Sequence, residues 1–254
     1  MSTSDSANTM RVAVVIAVYN ESVSIADVIG RVLQQHPDQL IVVDDGSTDD
    51  TVNIVSAMPV TLLQNDGNCG KGTSLIRGMR HALEQGVDLI VTLDGDGQHL
   101  PEDIPRLLAP AVENPQLLVI GSRLHDKKAF PKKRYYANCI ANFWISWAAG
   151  HAIGDSQSGF RVYPAGLLCQ DKIKKISGNS FVFESEVLIE AARHGYPILE
   201  VPIAAIYEQH ARSSHFRPVL DISKIVLMVA WKLFTRGMYL QGLYRALRHP
   251  VRSA

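Results

Sequence analysis

The sequence predicts an α/β fold built on a doubly wound, mostly parallel sheet. Two observations carry this. Short apolar runs rich in β-branched residues alternate with segments of helical period four times, and each run ends in a polar turn bearing Asp, Asn or Gly. The runs are continuously apolar rather than alternating, as expected of strands covered by helices on both faces. Right-handed crossovers then place all the polar turns at one end of the sheet.

Arg11 to Val18 is the first such run, followed by Tyr19-Asn20-Glu21. Ser22 or Ser24 caps a helix through about Gln35, with Ile25, Val28, Ile29, Val32 and Leu33 at helical spacing. Leu40 to Val43 is a second buried strand, ending in Asp44-Asp45-Gly46-Ser47-Thr48-Asp49. Thr51 to Ala57 reads as a helix and Val60 to Leu63 as a third strand. The turn Asn65-Asp66-Gly67-Asn68-Cys69-Gly70-Lys71-Gly72 opens a helix from Thr73 to Glu84. The fourth strand starts at Leu89 and breaks into Asp94-Gly95-Asp96-Gly97-Gln98-His99.

The second half is less regular. Leu117 to Ile120 is a strand leading to Gly121-Ser122-Arg123. The chain is then dense in cations up to Arg134 (Lys127, Lys128, Lys132, Lys133), and Tyr135 to Ala149 is an apolar helix. Gly154 to Arg161 reads as a polar loop, Ser180 to His194 as an amphipathic helix with Glu184 and Glu186, and Ile198 to Ile206 as a strand. From Asp221 a long helical pattern mixes Trp231, Phe234 and Tyr239 with Lys224, Lys232, Arg236, Arg245, Arg248 and Arg252. A basic amphipathic helix with aromatics suits a membrane interface; docking on its own domain and a dimer contact are the alternatives.

At 254 residues and 46% apolar the chain has ample core for one large domain or two small ones. Twenty-five Lys and Arg balance twenty-five Asp and Glu, so nucleic acid is not an expected partner. Cys69, Cys139 and Cys169 are dispersed and odd in number, which indicates neither zinc nor a disulfide framework and fits a reducing cytoplasm. Residues 1–9 read as a disordered lead-in without the basic and apolar regions of a signal peptide, and no stretch has the length of a membrane span.

The chemistry centres on Asp94 and Asp96. Two carboxylates one residue apart at the mouth of a strand form a hard oxygen site suited to Mg²⁺ or Mn²⁺ holding a diphosphate, with Gln98 able to add a third oxygen. A polar hairpin turn is the plain alternative. The first turn is Tyr-Asn-Glu rather than Gly-x-Gly-x-x-Gly, and Gly67 to Gly72 lacks P-loop spacing, so hydride transfer and NTP hydrolysis are disfavoured.

The ordered set Ile16 to Glu21, Val43 to Asp49, Asp94 to His99, Gly121-Ser122-Arg123, Ser158 to Arg161 and Glu200 to Ile203 resembles family 2 glycosyltransferases of the GT-A fold. Within that family it is most similar to the polyprenyl-phosphate glycosyltransferases, such as dolichyl-phosphate mannose synthase. The resemblance implies a nucleotide half at about 10–122, an acceptor half at about 123–220 and the basic amphipathic helix at 221–254. It implies that Ala17, Tyr19, Glu21, Val43 and Asp45 lie along the nucleotide. Asp94, Gly95, Asp96 and Gln98 would hold metal and diphosphate, and Arg123, Arg134 and Asn138 the acceptor phosphate. Mannose synthases carry two further cations for the diphosphate after the Pro-Ile strand. An ungapped alignment puts Glu208 and Ser214 there, and Arg212 and His215 serve if the loop shifts.

The implied reaction is metal-dependent, inverting transfer of a sugar from a nucleotide sugar to a lipid-linked phosphate, by a cytoplasmic protein peripheral to the membrane or anchored by a partner. A phosphate acceptor is already anionic and needs no base, whereas a hydroxyl acceptor would need one, for which Glu184 and Glu186 are candidates. A non-catalytic nucleotide-sugar-binding protein is the third reading. Lys71 is expected to be solvated, Glu184 or Glu186 to pair with an arginine such as Arg193, and His99, His210 and His215 to lie at the surface.

Overall fold

The computed structural model of the protein describes residues 10–125, 132–174, 176, 182–204, 218–248 and 251–253. The strands are β1 (Val12–Val18), β2 (Gln39–Asp44), β3 (Thr61–Gln64), β4 (Leu89–Asp94), β5 (Leu118–Ser122), β6 (Arg161–Pro164) and β7 (Ile198–Pro202). They form one sheet in the order β3-β2-β1-β4-β6-β5-β7. Only β6 runs antiparallel to its neighbours. The expected doubly wound sheet is therefore present, and strands from both expected halves belong to it.

The helices are α1 (Ile25–Leu33), α2 (Thr51–Ser56), α3 (Lys71–Glu84), α4 (Ile104–Glu113), α5 (Lys132–Ala149), α6 (Ala165–Leu168), α7 (Asp171–Lys174), α8 (Val182–Arg193), α9 (Pro218–Phe234) and α10 (Leu240–Arg248). Strand alternation splits the core into two layers. Val15, Val43, Leu75, Met79, Ile90, Ile120, Ile145 and Phe183 fill one, and Ile16, Val42, Ile25, Ile29, Leu93, Ile104 and Leu107 fill the other. Burying side chains of this size contributes about 1.5–3 kcal/mol each.

Two expectations are corrected. The polar loop from Gly154 does not stop at Arg161: it turns into β6, whose four residues are too few to show a period and whose arginine masks its burial. The tail is not one helix. It breaks after Phe234, passes through a short 3₁₀ turn at Gly237–Tyr239 in which Met238 has φ 65°, and resumes as α10. A continuous apolar pattern cannot reveal this break, because α9 and α10 are each amphipathic.

Gly78 fixes how α3 seats on the sheet. A Cβ there would stand 2.5 Å from Val15 Cγ1 and 2.9 Å from Val43 Cγ2. Alanine in an ordinary helix interior gains up to about 1 kcal/mol over glycine. Here the overlap wins, and Gly78→Ala is expected to lower the unfolding free energy by about 1–3 kcal/mol in urea titration. Unchanged or raised stability would contradict this packing.

Candidate active site

The strand order reverses direction at β1, with β2 and β3 on one side and β4 on the other. Such switch points leave a crevice beyond the strand ends. Register carries the predicted residues there. Val43, Ala17 and Asp94 are direct neighbours across β2, β1 and β4, and share one face of the sheet. Val43 itself is fully buried, so it shapes the floor rather than offering a side chain. Tyr19 and Glu21 follow Ala17 into the loop. The Glu21 N–H donates to Thr51 Oγ1 at 2.9 Å, and Asn20 Oδ1 accepts from the Thr48 N–H at 2.7 Å. These bonds stitch the loop after β1 to the loop after β2.

The expectation of a solvated Lys71 is overturned. Its ammonium lies 2.5 Å from Asp94 Oδ1 and 3.5 Å from Glu184 Oε2. Burial lowers its pKa, but the charges of Asp94 and Glu184 outweigh that and hold it above the ordinary lysine value. Asp94 is half-buried, and Lys71 overrides the desolvation to hold its carboxyl well below the usual range. Asp96 goes the other way: burial and the charge of Asp94 raise its pKa, although its Oδ1 accepts the Gln98 N–H at 3.0 Å. Gly159 completes the hollow. A Cβ there would stand 2.8 Å from Lys71 Nζ and 2.9 Å from both Asp94 oxygens.

His99 is buried, not at the surface. Its Nδ1 accepts the Asp94 N–H at 3.4 Å, its ring packs on Phe160 at 5.3 Å, and burial pushes its pKa down to about 4. It is thus a neutral strut under the Asp94 turn.

Asp45 is 3% exposed and wholly engaged by the Gly-rich turn. Its Oδ1 accepts from Asn65 Nδ2, the Cys69 N–H and Ser74 Oγ at 2.8–2.9 Å, and its Oδ2 from the Gly70 N–H at 2.8 Å. Its neighbour Asp44 accepts from the N–H groups of Gly46 and Ser47 through Oδ2 and leaves a buried Oδ1 without a hydrogen-bond partner among the described residues. Asp45 therefore holds the loop that carries Lys71.

Arg123 is buried beyond β5. Its N–H and Nε donate to Asp155 Oδ2 at 2.9 and 3.3 Å, and its Nη2 to the Gln157 carbonyl. Asp155 was not singled out by sequence: it lies 32 residues from Arg123, and no local pattern signals the pair. The 154–158 loop is further held by Asn142 of α5, which bonds the Gly154 carbonyl and both Ser156 N–H and Oγ, and by Glu200 of β7, which accepts the Gly154 N–H. Arg161 is completely buried, and its guanidinium donates to the carbonyls of Ser156, Ser158 and Glu184. It ties that loop to α8.

Asn138 is buried on α5, one turn before Asn142. Arg134 starts the same helix one turn earlier, and its side chain lies outside the described residues, as do Arg212, His215 and His210. Glu184 pairs with Lys71 and Glu186 with Lys232 at 2.7 Å, while Arg193 pairs with Glu190 instead.

The Asp94 turn suits a hard divalent cation. It presents two carboxylates, one of them driven toward protonation by the other, beside a hollow that Gly159 keeps open. Among the described residues no group of three or more His, Cys, Asp or Glu is set to enclose a metal, so water or ligand oxygens would complete the shell.

The sequence description "Glycosyl transferase family 2" matches residues 13–175. A UDP-N-acetylglucosamine--dolichyl-phosphate N-acetylglucosaminyltransferase of Methanococcus voltae is 29% identical over 247 residues, covering 89% of this chain and 94% of the relative. An undecaprenyl-phosphate mannosyltransferase of Micrococcus luteus is 29% identical over 235 residues, covering 89% of this chain and 96% of the relative. Among solved structures, glucosyl-3-phosphoglycerate synthase from Mycobacterium tuberculosis, in complex with Mn²⁺, UDP and glucosyl-3-phosphoglycerate, matches with a TM-score of 0.68. That match has 21% identity and covers 90% of this chain and 80% of the other; it is a likeness of fold, and the fold is GT-A.

Asp45→Asn replaces an acceptor oxygen by a donor facing backbone N–H groups. It is expected to cost about 1–3 kcal/mol of stability, read by urea unfolding, with faster proteolysis in the 65–70 turn. Native-like resistance there would mean that Asp45 does not hold the loop.

Proposed function

Because the chain belongs to glycosyl transferase family 2 and is a glycosyltransferase, we propose that it moves a sugar from a nucleoside diphosphate donor to a polyprenyl-phosphate-type lipid, with inversion, at the cytoplasmic membrane face. Likeness over most of the chain to two transferases named for lipid-phosphate acceptors carries this reading. The geometry agrees with it in one respect. Both glutamates that might have served a hydroxyl acceptor as base are in ion pairs with lysines.

The donor occupies the crevice between β1 and β4. Ala17, Tyr19 and Glu21 line the nucleotide, while Val43 and Asp45 build the floor and the loop beside it. Asp94 and Asp96, with Gln98 alongside, would hold Mg²⁺ or Mn²⁺, which supplies Lewis-acid neutralisation of the departing diphosphate. Lys71 adds a second cation at the same place. Arg123, preset by Asp155, orients the acceptor phosphate together with Arg134 and Asn138, since a guanidinium matches phosphate oxygens bidentately. Arg212 and His215, which lie outside the described residues, are the further groups assigned to the diphosphate. The acceptor oxygen forms its bond to the anomeric carbon as the bond to the diphosphate oxygen breaks, and the nucleoside diphosphate leaves.

Membrane proximity fits the surface. Among the described residues no helix is long and apolar enough to cross a membrane. Three helices packed together nevertheless expose apolar residues at one helical spacing: Tyr136, Ile140 and Phe143 on α5, Leu227, Trp231 and Phe234 on α9, and Leu240, Tyr244 and Leu247 on α10. Such stripes suit an interfacial position.

The test is label transfer from a panel of nucleotide sugars to a short polyprenyl phosphate, with Mn²⁺ or Mg²⁺ and with EDTA. Lipid labelling that EDTA abolishes is expected, with Asp94→Asn and Asp96→Asn each slower by about two orders of magnitude or more. Donor hydrolysis without lipid labelling would move the acceptor to a hydroxyl. Full lipid labelling in EDTA would remove the metal from the mechanism.

A further inference from the structure

At the other end of the sheet the C-termini of α5 and α8, the start of β7 and the segment after α9 enclose a cleft of about 570 Å³. Its lining includes Arg193, Arg236, Arg245, Arg252, His151 and His194, and among the described residues no carboxylate. The four arginines come from α8, the turn after α9, α10 and the C-terminal segment. That segment is held beside β7, where the Glu200 N–H donates to the Arg252 carbonyl at 2.9 Å.

Compensation for this charge is incomplete. Glu190 Oε1 is shared by Arg193 Nη1 at 3.3 Å, Lys232 Nζ at 2.9 Å and, at 3.8 Å, Arg236 Nη2. Among the described residues Arg245 and Arg252 make no ion pair. Arg193 Nε donates to the Ala148 carbonyl, but its Nη2 is buried without a hydrogen-bond partner among the described residues. Burial and the nearby Arg236 pull the Arg193 pKa below the ordinary arginine value. The ends of α5 and α8 contribute about half a negative charge each. Set against four guanidinium groups, these and Glu190 leave a surplus of about two positive charges.

We propose that this cleft is a second anion site, taking a compact phosphate-bearing group such as a phosphomonoester or diphosphate. Its volume suits a small ligand, and planar guanidinium groups match phosphate oxygens in pairs. It is separate from the Asp94 crevice, which lies at the opposite ends of the strands, and it does not depend on the acceptor assigned above. The anion has two sources: a soluble phosphorylated compound, or the headgroup of an anionic lipid, since α10 carries Arg245 together with an exposed apolar stripe.

The test is calorimetric titration of the full chain with inorganic pyrophosphate in EDTA, so that the bare Asp94 and Asp96 carboxylates repel the probe from the crevice. Saturable binding is expected, weakened at least about tenfold in the double variant Arg245→Gln/Arg252→Gln. Both arginines of that variant are exposed, so the fold should persist; circular dichroism checks this. Vesicles of phosphatidylglycerol and phosphatidylcholine, compared with phosphatidylcholine alone, separate the sources. Preferential binding that pyrophosphate displaces assigns the lipid headgroup, and pyrophosphate binding without vesicle preference assigns the soluble compound. No saturable binding of either probe, or binding that the double variant leaves intact, would overturn the site.

Discussion

The ammonium of Lys71 is the interaction on which the site depends. Asp94 and Asp96 crowd the end of the sheet beside Glu184, and burial disfavours the charge of both aspartates. With Lys71 between them, Asp94 stays ionised and Glu184 has a counter-charge; Asp96, farther from that cation, is the carboxylate driven toward protonation. A site built this way is electrostatically incomplete, and its remaining need is for positive charge near Asp96. That need agrees with the divalent cation proposed for Asp94 and Asp96.

Lys71 is delivered by a chain of tertiary contacts. Gly78 lets α3 lie directly on β1 and β2, and the Asp45 carboxylate gathers the Gly-rich turn into the start of that helix. Gly159 then leaves room for the ammonium against Asp94. Asp45, just beyond β2, therefore has a structural task in holding this turn.

The acceptor side follows a different logic. Arg123 follows β5 and Arg161 opens the neighbouring β6; both are buried, yet they differ in what they engage. Arg161 is consumed by carbonyls and holds loop to helix, as a buried guanidinium must if no anion is offered. Arg123 is set by one carboxylate, Asp155, whose second oxygen lacks a partner among the described residues. An arginine oriented from behind by a carboxylate fits the acceptor-phosphate role proposed for it.

Local periodicity determined the doubly wound sheet, the succession of the first four strands along the chain and the place of Asp94 and Asp96 at the strand ends. Those features depend on side chains close in sequence, and continuous apolar runs ending in acidic turns leave few alternatives. The family resemblance added the nucleotide sugar, the lipid-phosphate acceptor and the roles expected of Arg123 and Asn138. Only tertiary structure decided that β6 runs antiparallel between β4 and β5, that Lys71 pairs with Asp94, that His99 is a buried strut, that Asp155 sets Arg123 and that the tail breaks at Met238. Each of these joins residues far apart along the chain or turns on a single backbone angle. Charge pairing and burial at such distances have no period, so a sequence carries no local sign of them until the sheet has brought the partners together.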